Sequence, residues 1–164
     1  MAVEQYSQDE LGAASDIAPP WAILPMRTQV AALPIKEEAG WRPRVLLLTS
    51  RQSGRWIIPK GWPMPELSDA RAAAEEAREE GGISGRIRGD KPAGHYSYRK
   101  TLSSGEAVIC RVSVYLLHVE RELKKWKEQD ERRRLWVDPD LAATMVQEPE
   151  LAELLRRVGR GELR

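Results

Sequence analysis

The sequence predicts an α/β fold, an α/β/α sandwich with a mixed β-sheet, and three observations carry that prediction. Aliphatic runs such as Arg44-Val45-Leu46-Leu47-Leu48-Thr49 have the continuous character of strands buried on both faces. An Ala/Glu-rich stretch between Ser68 and Gly82 has helical period and keeps Ala70, Ala73, Ala74 and Ala77 on one flank, where small side chains let a helix approach a sheet closely. Late in the chain, Asp138-Pro139 and Pro149 are start signals for two more helices.

The elements follow in order. Residues 1–20 are polar and Ala/Ser-rich with a Pro-Pro end, which predicts a mobile tail or an arm laid over the domain, with residues 21–164 as a single domain. A first strand is expected from Arg27 to Lys36 and a second from Arg44 to Thr49. Gln52-Ser53-Gly54 reads as a hairpin turn into Arg55-Trp56-Ile57-Ile58, which Pro59 ends. Pro63 and Pro65 keep the next loop out of helix, Ser68 is the expected N-cap, and the helix runs to about Glu80 with Gly81-Gly82 as its stop. Strands are expected near Gly85–Arg88, Ala93–Lys100 and Ala107–Val119, with Ser103-Ser104-Gly105 turning into the last of these. The charged run from Glu120 to Arg134 has no core period until Leu135-Trp136-Val137, a short strand. The final helix, to about Val158, puts Leu151, Leu154, Leu155 and Val158 on one side.

Composition bounds the function. At 164 residues and 41% hydrophobic content the chain suits one domain with an ordinary core. No apolar run approaches the roughly 20 residues a membrane span needs, and the first residues lack the basic and apolar regions of a secretory signal. One cysteine, Cys110, allows no internal disulfide, which fits a cytoplasmic location; it lies in an apolar strand pattern and reads as core. A net charge of +1 advertises no stable nucleic-acid partner.

The chemistry concentrates in Pro59-Lys60-Gly61-Trp62-Pro63-Met64 and the helix that follows. Stepping at the helical period puts Glu79 and Glu80 within about 60° of Glu76, so the three acids share a face. A solvated helix face, with pairs such as Arg71 and Glu75, is one reading of this pattern. Against it, Glu75/Glu79 and Glu76/Glu80 are like-charge pairs, and all sit near the helix C-terminus, where the macrodipole disfavours negative charge. A hard dication, Mg²⁺ or Mn²⁺, held by these oxygens and shared with a phosphate resolves both conflicts.

These residues resemble the Nudix box, G-x5-E-x7-R-E-U-x-E-E-x-G-U with U aliphatic. Gly61 opens the match, Glu76 takes the acid of the R-E pair, Glu79 and Glu80 take the E-E pair, and Gly82-Ile83 close it. Leu67 stands in place of the first Glu, and Glu75 in place of the Arg that generally orients the glutamates in the family. The Ser50-Arg51 to Arg55-Trp56-Ile57 hairpin, Cys110-Arg111 and Arg132-Arg133-Arg134-Leu135-Trp136 extend the likeness to the diphosphoinositol polyphosphate phosphohydrolase branch, especially its bacterial members.

The resemblance implies a Nudix loop-helix-loop on the sandwich and metal-dependent hydrolysis of a diphosphate in a small, phosphate-rich substrate. Glu76, Glu79 and Glu80, with the Gly61 carbonyl, would hold Mg²⁺ or Mn²⁺, and Glu79 or Glu80 would serve as base. Arg27, Arg51, Lys60, Arg111 and Arg132 would contact substrate phosphates, with Lys60 steadying the leaving group. A dication there would bridge the diphosphate and neutralise its developing charge. Two alternatives stay open: a nucleotide-directed pyrophosphatase, acting on a dinucleoside polyphosphate, a nucleotide sugar or an RNA 5′ end, and a binding module weakened by Glu75. A base-stacking aromatic pair favours the nucleotide, and an Arg/Lys-lined pocket the polyphosphate.

His95 and His118 have no metal-ligand spacing and read as ordinary polar residues. Trp56 and Trp136 read as core, while Trp62, Tyr96 and Tyr98 are candidates to line the pocket.

Overall fold

The computed structural model describes residues 24–164, so the arm expected over residues 1–20 lies outside the described residues. Among the described residues the elements are β1 (Met26–Lys36), β2 (Arg44–Thr49), β3 (Trp56–Ile57), β4 (Lys60–Gly61), α1 (Asp69–Gly81), β5 (Ile83–Ile87), β6 (Gly94–Thr101), β7 (Ala107–Glu122), β8 (Arg134–Val137), α2 (Pro139–Met145) and α3 (Pro149–Gly159).

The long strand β7 organises the sheet. One edge pairs in parallel with β1 from Met26↔Ile109 to Ile35↔His118. Its other edge pairs antiparallel with β6 along its first half and with β5 along its second. On the far side of β1, the contact with β2 covers only Ile35↔Val45 and Lys36↔Arg44. Beyond it the two strands part, and Trp56–Gly61 fills the fork: β3 pairs with β2 and β4 with β1. Pro59 sits at the crossing, where its carbonyl accepts from Ala32 N at 3.0 Å. A residue without an N–H suits a point where the chain changes partners. β8 lines the outer edge of β2. With β1 and β7 parallel and the other pairings antiparallel, the sheet is mixed.

Strand alternation separates two cores. Ala31, Leu33, Ile35, Val45, Leu47 and the even residues Val108 to Val114 face one side, where α2 and α3 cover them with Ala142, Leu151, Leu154, Leu155 and Val158. Val30, Ala32, Leu46, Leu48, Tyr115 and Leu117 face the other, beneath Ala72, Ala73 and Ala77 of α1. The expected sandwich is therefore present. Fully burying a leucine such as Leu155 stabilises the fold by about 2 kcal/mol.

Local signals set the helix ends. Ser68 Oγ accepts from Arg71 N at 3.3 Å, and Gly82 ends α1 at φ 63°, a left-handed conformation that costs glycine little. Asp138 caps α2 by accepting from Asp140 N at 2.9 Å, with Pro139 at the first position.

The differences from expectation have physical causes. Strand β4 is only two residues long and carries no period. β5 and β7 extend to Ile83↔Glu122, because backbone pairing continues past the last apolar side chain. On α1 the buried alanines are Ala72, Ala73 and Ala77, while Ala74 is only partly covered, so the sheet-facing flank is centred nearer Ala73 than the wheel suggested.

Candidate active site

The fork brings Lys60-Gly61 against the C-terminal half of α1. Gly61 faces Glu76 so closely that a Cβ at position 61 would overlap the Glu76 carboxylate, leaving glycine as the residue that fits. Lys60 N donates to Glu80 Oε2 at 3.2 Å, and Arg132 Nη2 lies 3.5 Å from Glu80 Oε1. Glu79 Oε2 pairs with Lys127 Nζ at 3.4 Å. The three box acids thus share the same face, Glu80 buried and the other two partly so.

Burial pushes the Glu80 carboxyl up to about 7 despite the opposing charges of Arg132 and Lys60. Burial also raises Glu76, reinforced by the charges of Glu79 and Glu128. Lys60 is lowered to about 8, chiefly because it is buried, with Glu80 opposing the shift. Among the described residues no three His, Cys, Asp or Glu side chains converge as a finished metal cage. Glu79 and Glu80 are directed at protein donors instead. Their chemistry nonetheless fits a hard dication, since they are oxygen donors carrying mutually repelling charge beside a glycine that leaves room for Glu76.

The charged run of residues 123–134, which has no core period in the sequence, straps the end of α1. Its backbone donates from Glu128 N to Glu79 O at 3.1 Å and from Leu123 N to Gly82 O at 2.7 Å. Trp126 Nε1 donates to Glu80 O at 3.1 Å, and Arg134 Nη1 donates to Gly81 O at 3.0 Å and Gly82 O at 3.2 Å. A helix leaves its last carbonyls without intrahelical partners, and the strap supplies them. Arg134 also lies over the Trp126 ring at 4.1 Å. The strap's cations answer the macrodipole conflict noted in the sequence, so Glu79 and Glu80 have protein partners.

The candidate phosphate contacts separate. Arg51 is exposed and pairs with Glu128 at 3.2 Å and Glu131 at 3.8 Å. Arg111 is exposed on β7, in register with Thr28 and Ser97, and shares the face of Tyr115 and Leu117 beyond the part α1 covers. Arg27 is exposed near the start of β1, opposite Cys110. Lys60 Nζ lies 5.2 Å from the centre of the Tyr98 ring. Arg132 is 7% exposed, with Nη1 donating to Thr49 O at 3.1 Å and Nη2 shared between Glu80 and Glu128 at 3.5 Å each.

The aromatic expectations need correction. Tyr96 is 1% exposed inside the core under α2 and α3, because its strand parity points it there. Tyr98 donates from its hydroxyl to Gln29 Oε1 at 2.6 Å, and Arg55 and Lys60 lie against its ring. Arg55 pairs with the buried Glu148, whose Oε2 has no partner among the described residues. Trp62, 42% exposed beside Gly61, keeps its candidacy as a pocket residue. At the two departures from the box, Leu67 packs against the α1 core and Glu75 accepts from Arg78 Nε at 3.1 Å.

The fold is shared with solved Nudix hydrolase structures. No family model matches the chain. Among curated proteins it is similar to Nudix hydrolase 13, mitochondrial, of Arabidopsis thaliana, 35% identical over 100 residues that cover 58% of this chain and 49% of that protein. Diphosphoinositol polyphosphate phosphohydrolase 3-beta of Bos taurus is 29% identical over 121 residues, 71% of this chain and 69% of that protein. The match thus spans about half the length of the plant relative. Among solved structures, the C. elegans Ap4A hydrolase superposes with a TM-score of 0.57 at 19% identity, over 83% of this chain and 98% of that one. The chain's curated homologues are Nudix hydrolases, a diphosphoinositol polyphosphate phosphohydrolase among them, and the solved neighbour has the same fold. No helix among the described residues is long and apolar enough to cross a membrane.

Proposed function

We propose that the chain hydrolyses a diphosphate linkage in a small, phosphate-rich substrate, most closely a diphosphoinositol polyphosphate, with Mg²⁺ or Mn²⁺. The observation that carries this reading is the approach of Glu76 to Gly61 and of Glu80 to the Lys60 backbone, with Glu79 beside them on the same helix face. Glu76, Glu79 and Glu80, with the Gly61 carbonyl, would hold the ion. The ion would supply Lewis-acid polarisation of the diphosphate and lower the pKa of the attacking water.

The protein's own groups do the rest. The Lys60 ammonium, 5.2 Å from the centre of the Tyr98 ring, would donate to the leaving phosphate, and its lowered pKa suits it to a role near neutrality. Glu79, less buried than Glu80, is free to exchange Lys127 for a proton of the attacking water. Arg51, Arg111 and Arg27 are exposed forks that would meet substrate phosphates. The Tyr96/Tyr98 pair offers no base-stacking platform, since one ring is buried and the other has cations beside it. That favours a charge-dense substrate over a nucleobase. The exposed Trp62 beside Gly61 supports the nucleotide as a second reading, because an exposed indole can stack on a base. A single buried cysteine supports a reducing, cytoplasmic setting.

The test is a panel of diphosphoinositol polyphosphates, dinucleoside polyphosphates and nucleotide sugars, incubated with Mg²⁺ or Mn²⁺ and resolved by product. The proposal expects the fastest release from the inositol compounds. Preference for the dinucleotide selects the second reading, and no cleavage of any compound refutes both.

A further inference from the structure

The family's box places an arginine where this chain has Glu75, and Glu75 is taken up with Arg78 on the outer side of α1. The helix therefore carries no cation at the position that generally orients the glutamates. The strap carries one instead. Glu80 is fixed through both oxygens, Oε2 by Lys60 N at 3.2 Å and Oε1 by Arg132 at 3.5 Å. Arg132 is itself fixed: Nη1 is tied to Thr49 O on β2, Nη2 also reaches Glu128 Oε1, and Arg51 lies 3.2 Å from the same oxygen. With its side chain 7% exposed and Nε enclosed without a partner, this guanidinium presents little surface to an incoming phosphate.

We propose that Arg132 is the positioning residue for Glu80, supplying from the strap the orienting charge that position 75 lacks, and that it is not a substrate contact. The inference rests on the metal-dependent reading above. It assigns Arg132 a different duty from the neighbouring exposed arginines. A rigid fork suits the task, because three acceptors from β2, α1 and the strap meet one planar group. It also relates the two halves of the site: whatever displaces residues 128–132 displaces a carboxylate that the reaction depends on.

Two measurements test this. In substrate-free protein, Mn²⁺ binding is followed by electron paramagnetic resonance for wild type, Arg132→Gln, Arg132→Lys, Glu80→Gln and the Arg132→Gln/Glu80→Gln double variant. Loss of an outer partner of a metal ligand typically weakens the metal by about tenfold or more, and that loss is expected for Arg132→Gln. Arg132→Lys, which keeps the charge and lacks the fork, is expected to lose affinity as well and guards against misfolding of the Gln variant. In the Glu80→Gln background the Arg132 substitution should add nothing, since a residue acting through Glu80 has nothing left to orient. Kinetics on a diphosphoinositol polyphosphate should show kcat reduced with KM within about threefold of wild type. Unchanged Mn²⁺ affinity with a raised KM would mark Arg132 as a substrate contact and overturn the inference, as would additive losses in the double variant. A wild-type protein that binds Mn²⁺ yet cleaves nothing removes the proposed reaction alone, because the metal titration still reads Glu80 directly; one that binds no Mn²⁺ overturns both.

Discussion

Trp126 stands against Gly82 across the end of α1, its indole filling the space that a Cβ at position 82 would need. The same indole donates to Glu80 O at 3.1 Å, so the helix terminus and the strap are fitted to one another. Gly82→Ala therefore meets two penalties, a left-handed backbone at φ 63° and overlap with the ring. Together they should destabilise the protein by about 3 kcal/mol in urea unfolding. A variant as stable as wild type would show that the strap is loosely packed.

Glu79→Gln combined with Glu80→Gln keeps side-chain shape and removes charge. Glu80 is buried and its carboxyl already raised, so a neutral amide is tolerated there and circular dichroism should be unchanged. Metal-dependent turnover should fall by about 100-fold or more, the scale seen when groups stabilising transition-state charge are removed. Preserved turnover would mean that the acids only solvate a helix.

His118 bears on stability against pH. Burial holds its imidazole below the ordinary value of 6.5, with Arg88 acting in the same direction and Glu37 opposing. The unfolded chain then binds a proton that the folded chain resists. The resulting stability is full above 6.5 and is lost as pH falls through that value toward the folded one. Replacing His118 by Leu should flatten this part of the profile, measured by urea unfolding at about pH 5 and pH 7. An identical slope in wild type and variant would contradict the assignment.

Arg55 and Glu148 form a pair in which the carboxylate is buried and one of its oxygens has no partner among the described residues. Removing the arginine alone, as Arg55→Met, leaves an uncompensated charge and should cost about 3 kcal/mol. Removing both, as Arg55→Met with Glu148→Leu, should restore most of that loss. If the double variant is no more stable than the single one, the unpaired carboxylate is not the source of the loss.

Much of this architecture could be read in advance because its signals are local. Ser68, Asp138, Pro149 and Gly82 act on their own turns of backbone, and β2 announces itself by an unbroken aliphatic run. The box acids were legible for the same reason, since helical period alone puts them on one face. Strand β4 and the fork were not, because a two-residue strand has no period and its pairing depends on how far β1 and β2 diverge. Nor was the strap. A charged run is ambiguous until its partners are known, and those partners are carbonyls and carboxylates about 50 residues earlier in the chain. Tyr96 shows the matching limit: alternation gives which residues share a face, and only the packed sheet decides which face is the cleft.

The hydrogen bonds that finish α1 come from residues 123–134, far downstream of the helix itself. During synthesis the glutamate-bearing helix is thus made long before the residues that hold its end have left the ribosome. A nascent chain stopped short of Leu123 has Glu76, Glu79 and Glu80 and lacks the strap partners that meet them. The alignment of these acids accordingly arrives late, as a property of the docked strap and not of the motif.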